Sequence, residues 1–397
     1  MKVAMIERLQ KVTLGHDGPT SYCPLGDVAS LARREIVVDP ETCYTEIGVR
    51  SFHKGTFHRR TVKGSEFTWQ GLYWVKQDDL IFSNIMAWEG AVALATPEDD
   101  GCVGNHRMLT CECDRQVVEP AFLANYFKTP EGMAKLVSTS TGTVARNRTL
   151  TAASLVSMLI PLPPIGLQRS IVTHLDALAD KTRQLSAHLD AIETDADHLL
   201  ALRFRDAVAG ALHRAMGEMA PTVRRSVTLD PMCSYREIGA RSFGKGLFAK
   251  PDFNAAEATW QKPVWIEEND LIFSNIKAWE GAIALASDEH DGCIASHRYI
   301  TCVPDHTRLL GPFLLYYLLS DEGLEKVGSA SPGTADRNRT LSLGNLAKIE
   351  VPVPSIAIQQ AFVSLQAHVH ALKARHTAIR AANAALLPAT LERLFAA

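Results

Sequence analysis

Leu80-Ile81-Phe82-Ser83-Asn84-Ile85, followed by Ala87-Trp88-Glu89-Gly90-Ala91, decides the fold because it is written twice. Leu271-Ile272-Phe273-Ser274-Asn275-Ile276 and Ala278-Trp279-Glu280-Gly281-Ala282 stand 191 residues further on. The same offset relates Arg146-Asn147-Arg148-Thr149-Leu150 to Arg337-Asn338-Arg339-Thr340-Leu341, His106-Arg107 to His297-Arg298, Trp69 to Trp260 and Gln168 to Gln359, with no gap between anchors. A period of that length lies far above solenoid and propeller repeats, so it marks two whole domains of one fold. Two equivalent surfaces in one chain suit a partner with two equivalent sites.

The chain has 397 residues, 46% hydrophobic and 21% charged, so each repeat can bury a core of its own. A net charge of −3 does not by itself announce a nucleic-acid binder. Distribution matters more: between Tyr44 and Lys76, Arg50, Lys54, Arg59, Arg60, Lys63 and Lys76 face only Glu46 and Glu66. Met1 to Arg8 carries no apolar signal core, and no apolar run approaches a membrane span. The eight cysteines are scattered without a dense framework, which fits reduced thiols and a cytoplasmic location.

Each repeat has two parts. The first mixes short apolar runs with Gly, Pro, Asn and Asp. Trp74-Val75-Lys76 and Asp79-Leu80-Ile81-Phe82 read as strands around a turn at Gln77-Asp78, and Gly90 to Ala95 as a further buried strand. Pro120 to Lys128 and Glu131 to Val137 read as helices, which makes the globule a mixed α/β (α+β) one. Ile160-Pro161-Leu162-Pro163-Pro164 stops it, as Val351-Pro352-Val353-Pro354 does in the second copy.

The second part is a long helix. Ile171, Leu175, Leu178, Thr182, Leu185, Leu189, Ile192, Ala196 and Leu199 alternate at spacings of four and three, and so do Leu365, Val369, Leu372, His376, Ile379, Asn383 and Leu386. Two such seams in one chain predict an antiparallel coiled coil between two similar globules, with pseudo-two-fold symmetry and polar His376 and Asn383 fixing register. The alternative is a single amphipathic helix laid on its own globule. The expected layout is a first domain over 1–165, a helix over 166–215, a second domain over 216–356 and a second helix over 357–397. Helices of that length, at about 1.5 Å per residue, would act as a spacer between two reading heads.

These features together resemble the specificity (S) subunits of type I restriction–modification systems (the HsdS family). The resemblance rests on the Pro-rich turn followed by a helix with a Gln near its start, Ile160 to Ile171 with Gln168 and Val351 to Gln360 with Gln359. It rests also on the opening Cys23-Pro24-Leu25-Gly26-Asp27-Val28 and on Leu386-Leu387-Pro388 with Leu391 and Phe395. Glu46 to Phe52 and Ala87 to Ala91 are similar to one recognition-domain subtype. It covers nearly the whole chain. It implies a non-catalytic DNA-recognition subunit for a bipartite target, holding two adenine methyltransferase (M) subunits and two restriction (R) subunits. S-adenosylmethionine would belong to the M subunit, ATP and Mg to the R subunit, and no cofactor to this chain. One departure stands out: in many members the two recognition domains differ strongly, whereas here they are near copies.

A DNA reader needs Lys and Arg for phosphates and Arg, Asn, Gln or His for base edges. The candidates repeated in both copies are Arg146, Asn147 and Arg148 with Arg337, Asn338 and Arg339, in Ser/Thr/Gly-rich loops. Asn147 could instead cap a helix beginning at Thr149. Arg50 and Lys54 with Arg241 and Lys245, His106-Arg107 with His297-Arg298, and Asn84 with Asn275 complete the set. Each has a structural alternative: a solvated turn, a buried histidine, an internal ion pair for Glu89 or a core position for Trp88. Leu175, Leu178, Leu185, Leu189, Ile192, Val369, Leu372, Ile379 and Leu386 are the candidates for the coiled coil and for docking of M subunits. Cys102, His106, Cys111 and Cys113 lack the paired-cysteine knuckles of structural zinc sites, so no metal is expected. The sequence contains no Asn-Pro-Pro-Phe or Asp-Pro-Pro-Tyr methylation motif and no Walker A loop. A specificity subunit for a standalone methyltransferase and a two-domain scaffold without DNA remain the competing readings.

Overall fold

The computed structural model describes residues 21–67, 71–142, 148–257, 262–333 and 339–395. It divides into two units, 1–188 with 377–397, and 189–376.

In the first unit two four-stranded sheets carry the globule. One runs in the order Ala29–Leu31, Met108–Cys113, Leu80–Ser83, Val92–Leu94, all antiparallel. The other runs Thr56–Lys63, Cys43–Val49, Val103–Asn105, Leu72–Trp74, with the central pair parallel. Strands flank Gln77-Asp78, but the first is Leu72–Trp74 rather than Trp74 to Lys76, and the two do not pair with each other: Leu72–Trp74 joins the second sheet and Leu80–Ser83 the first. Asp79 makes the corner between sheets. Its buried carboxylate accepts from Arg34 at 2.5 and 3.1 Å and from the Lys76 N–H at 2.8 Å, so the chain turns around a charge rather than across a ladder. The second unit repeats both sheets from Thr222 to Cys302, and Arg225 with Asp270, 2.8 Å apart, repeats the corner.

Short helices pack against the antiparallel sheet. Pro120–Tyr126 and Pro130–Thr139 bury Phe122, Leu123, Tyr126 and Leu136 over Phe82, and Gly311–Leu318 and Asp321–Ser329 bury Phe313, Leu314, Tyr317 and Val327 over Phe273. Burying each of these side chains stabilises by roughly 2 kcal/mol or more.

The two long helices span Ile165–Val208 and Ile356–Phe395. Within the first unit Asn383 Nδ2 donates to the Thr182 carbonyl at 2.9 Å, and Arg380 Nη1 to that of Ser186 at 3.4 Å. Within the second, His376 Nδ1 lies 2.9 Å from Glu193 Oε1, and Lys373 Nζ lies 2.6 Å from Asp197 Oδ1. In each unit rising numbers on one helix meet falling numbers on the other, so the pair is antiparallel. The expected seam is right in kind and slips in register. Leu175, Leu189 and Val369 are buried, but Leu185, Ile379 and Leu386 are 37%, 42% and 44% exposed. Ser186, Arg380 and Leu387 turn inward instead. The reason is the period. Ile171 and Leu189, Thr182 and Leu200, and Val369 and Leu387 are each 18 residues apart, five turns of a straight helix at about 3.6 residues, whereas a heptad reading drifts by about 20° every seven.

The glutamines that open the long helices are fully buried. Gln168 Oε1 accepts from the Glu119 N–H at 2.8 Å, and Nε2 donates to the carbonyls of Val117 at 3.1 Å and Pro163 at 2.7 Å. Gln359 makes the same three bonds, to Leu310 at 2.8 Å, Arg308 at 2.9 Å and Pro354 at 2.8 Å. One amide thus satisfies the loop before the first short helix and the Pro-rich turn together.

Each long helix begins in one unit and ends in the other, and its end packs within the unit where it finishes. Phe204, near the end of the first long helix, packs on Phe313, Tyr316, Tyr317 and Phe362 of the second unit. Its twin by the 191-residue offset, Phe395, packs on Phe122 and Tyr126 of the first.

Candidate nucleic-acid interface

The twice-written block is a hub. After the Leu80–Ser83 strand, Asn84 is held on both sides by backbone bonds: its N–H donates to the Arg107 carbonyl at 2.8 Å, and its carbonyl accepts from Leu150 at 2.7 Å. The His106-Arg107 turn and Leu150 therefore meet at one residue. The turn is shaped by Asn105, whose Oδ1 accepts from the Arg107 N–H at 2.9 Å, and it leaves both His106 and Arg107 exposed. The Asn84 Oδ1 atom is buried and has no hydrogen-bond partner among the described residues.

Ala87–Glu89 then form one 3-10 turn, ended by Gly90 at φ 77°. Trp88 does not join the core. It is half-buried, its indole N–H donates to the Ile85 carbonyl at 2.9 Å, and its face carries the Arg148 guanidinium at 5.5 Å. Glu89 has no arginine partner among the described residues; it accepts from the Ser51 hydroxyl at 3.1 Å. The Phe52 and His53 N–H groups donate to the Glu89 and Gly90 carbonyls at 2.8 and 2.9 Å, so the basic loop with Arg50 and Lys54 is docked on the same hub. Phe52 and His53 sit at φ 60° and 53°, a conformation that costs a non-glycine residue roughly 1–3 kcal/mol. Arg50 lies over the Phe57 ring at 4.8 Å and donates to the Thr56 carbonyl at 3.0 Å.

The second copy builds the hub again. Asn275 N–H donates to the Arg298 carbonyl and its own carbonyl accepts from Leu341, both at 2.8 Å, and the Asn275 Oδ1 atom is again buried without a partner among the described residues. Arg339 lies over Trp279 at 4.7 Å and donates to the Gly328 carbonyl at 2.8 Å. Ser242 donates to Glu280 at 2.9 Å, and Glu280 also pairs with Lys277 at 2.6 Å. Arg241 lies over Phe248 at 4.9 Å and Lys245 over Phe243 at 5.7 Å. His297 lies beside a cavity of ≈ 170 Å³ that Asn275, Tyr299 and Thr301 also line.

The structure thus brings together Arg50, Lys54, Asn84, Arg107 and Arg148 in one unit, and Arg241, Lys245, Asn275, Arg298 and Arg339 in the other. Arg146, Asn147, Arg337 and Asn338 lie outside the described residues, as do Trp69 and Trp260. The helix after the loop begins at Ala152, and Thr151 caps it by accepting from the Ser154 N–H at 3.1 Å, with Ser342 in the same role in the second copy. The reading of Asn147 as that helix's cap is therefore replaced.

Comparison with known proteins places this architecture. No protein-family sequence model and no curated protein sequence matches the chain. Solved structures do. The chain superposes on the crystal structure of the HsdS subunit from Thermoanaerobacter tengcongensis with a TM-score of 0.63 and 18% identity, covering 94% of this chain and 96% of that one. The chain has the HsdS fold. A chain from a structure describing complex assembly and conformational transition of a type I R-M system superposes with a TM-score of 0.68 at 18% identity, covering 95% and 98%. With this fold, the hub residues lie in the two globules and the paired leucines on the two long helices.

Elsewhere on the HsdS-like frame the sequence candidates separate. Cys111 and Cys113 stand two residues apart on one strand and so share a face, and burial pushes both thiols up to about 12. Cys102 lies 3.6 Å from His58, away from both. Among the described residues no group of three His, Cys, Asp or Glu stands where it could hold a metal ion, and no helix is long and apolar enough to cross a membrane. A cavity of ≈ 400 Å³ opens between the long helices of the first unit, lined by Leu178, Lys181, Leu386 and Arg393.

Proposed function

We propose that this chain is the sequence-reading subunit of a type I restriction–modification enzyme. Each globule reads one half of a bipartite DNA target, and the long helices dock adenine methyltransferase subunits, with restriction subunits joining in the full enzyme. S-adenosylmethionine, ATP and Mg would be held by those partners. The observation that carries this reading is the hub built twice. In each unit an asparagine side-chain oxygen without a partner among the described residues, an exposed arginine turn, an arginine on a tryptophan face and a Lys/Arg loop converge on one repeated block. Arginine and lysine suit phosphates and guanine, and asparagine suits adenine. Near-identical hubs should read similar half-sites, so the target is expected to be nearly an inverted repeat around an unread gap, with a methylatable adenine in each half.

The exposed seam leucines fit docking better than pairing. Leu386→Asp, beside the cavity between the helices, should abolish co-purification of the methyltransferase while the chain still folds. The deciding experiment is single-molecule methylation mapping of a host with and without the gene. Loss of one bipartite adenine motif supports the reading. Unchanged methylation, together with no salt-sensitive binding to duplex DNA, would favour the scaffold alternative. A standalone methyltransferase partner gives the same methylation without restriction of unmodified DNA.

A further inference from the structure

One residue of each hub has no use inside the protein. Phe52 is 69% exposed and Phe243 is 74% exposed, and neither belongs to a core cluster. Their backbones are nonetheless fixed. Phe52 stands at φ 60° and Phe243 at φ 63°, in the left-handed region that a phenylalanine rarely takes. The N–H of each donates at 2.8 Å to the carbonyl of Glu89 or Glu280, and the N–H of the next residue donates at 2.9 Å to Gly90 or Gly281. The preceding serine is tied to the same glutamate at 3.1 and 2.9 Å. Both units therefore hold an aromatic ring out in water by a strained turn. The ring's surroundings name what it meets. Lys54 and Lys245 lie over the two rings at 5.9 and 5.7 Å, and Arg50 and Arg241 sit two residues before them. An apolar tip ringed by cations is poorly matched to an apolar protein surface and well matched to stacked bases bordered by phosphates.

We infer that Phe52 and Phe243 are wedges: each inserts between two neighbouring base pairs of duplex DNA within its half-site, while the adjacent lysine passes from the ring to a flanking phosphate. The inference rests on the DNA-reading role proposed above and adds a deformation of the DNA to it. A rigid strained turn suits this task, because a ring on a mobile loop would lose freedom on insertion that this one has already given up.

The test uses the full chain with whatever methyltransferase co-purifies, and duplexes that it enriches from a random pool. 2-Aminopurine, placed at each position in turn, brightens where stacking is lost. The wild-type chain should brighten one step in each half-site. Phe52→Ala should abolish the signal in one half and Phe243→Ala in the other, each with about a ten-fold loss of affinity for the enriched duplex. Phe52→Leu should retain part of both. Phe52→Gly should unfold at a midpoint no lower than wild type, because glycine accepts this backbone, and should still lose the signal. The inference is overturned if the signal survives in both alanine variants, as it would if base flipping by the methyltransferase were its source. It is overturned too if affinity depends on a thymine methyl, tested with uracil, without any brightening. Loss of a protein partner with DNA binding unchanged also overturns it. Failure of the wild-type complex to enrich any duplex is a separate result, and it removes the DNA-reading role itself.

Discussion

The two copies share their hub and differ in what surrounds it. In the first, Cys43–Val49 and Thr56–Lys63 form one long hairpin, bulged at Glu46/Ile47, with Arg60 paired to Glu46 at 2.7 Å. In the second, the equivalent of Arg60 is Pro251, which has no N–H. There the hairpin splits into two short ladders, Glu237–Ala240 with Leu247–Ala249 and Ser234–Tyr235 with Phe253–Asn254. Beside the hub, Tyr73 leaves a space of only ≈ 10 Å³ in the first copy. Its counterpart Val264 lines a cavity of ≈ 170 Å³ in the second, where Thr301 Oγ1 joins Asn275 Oδ1 as a buried atom without a partner among the described residues. His53 corresponds to Gly244. Duplication kept the bonds that hold the loops together and released the side chains around them, which is where two half-sites can come to differ.

The frame can be attacked where the copies agree most. Gln168→Leu or Gln359→Leu leaves one N–H and two carbonyls buried without partners, and each should lower stability by about 3 kcal/mol, read from denaturant midpoints. Clearly unequal losses would show that the shared amide is not doing the same job twice. Arg60→Pro should convert the first hairpin into the split form of the second at a cost of roughly 1–3 kcal/mol, with faster amide exchange in Thr56–Lys63 and an unchanged hub. The reciprocal pair Tyr73→Val and Val264→Tyr tests the cavity. Selection from random duplexes should shift the preferred base at one position of one half-site for each, by about 1–3 kcal/mol of discrimination. Loss of binding at both halves would sink the idea that the cavity tunes readout. Arg148→Ala and Arg339→Ala should each flatten the salt dependence of DNA binding by roughly one unit of slope.

The smallest expected effect concerns His53. Its ring lies against Gly90, with Nε2 3.2 Å from Met133 Sδ, and burial, aided by the nearby Lys128 charge, lowers its pKa below the ordinary 6.5. A depressed folded pKa means that the unfolded chain takes up the proton first. This part of stability is therefore complete above about pH 6.5 and is lost as the pH falls from there through the lowered value. His53→Gly, the residue of the second copy, should remove that pH dependence with little change at pH 8, which thermal melts at pH 5.5 and 8 would check.

The long helices were legible because nothing between Leu167 and Ala209 interrupts their periodicity, and the globule's α/β character because its apolar runs are short and punctuated. The inward residues were misplaced by one because 3.5 and 3.6 residues per turn diverge only over several turns, which moved Leu185, Ile379 and Leu386 out of the seam. Trp74 to Phe82 read as two strands around a turn, and period-two alternation cannot say which sheet each strand joins; the arginine that decides it, Arg34, is 45 residues away from Asp79. The hub candidates could be listed from their repetition, but not gathered, since Asn84, Arg107 and Leu150 meet through main-chain bonds that leave no trace in residue type. The left-handed turn at Phe52 was hidden for a related reason: only glycine and asparagine advertise such a backbone.

Phe204 and Phe395 carry one more consequence. Each helix finishes on the globule that it does not follow, so neither repeat contains the aromatic plug that covers its own Tyr126 or Tyr317. The chain has the connectivity of an exchanged pair whose two members have been fused. A half-length version, cut after the first long helix, would carry Phe204 with nothing of its own to cover and Tyr126 with nothing to cover it. Two such halves can satisfy each other by trading helix ends, so the half-length chain should run as a dimer in light scattering, and Phe204→Asp should return it to an unstable monomer.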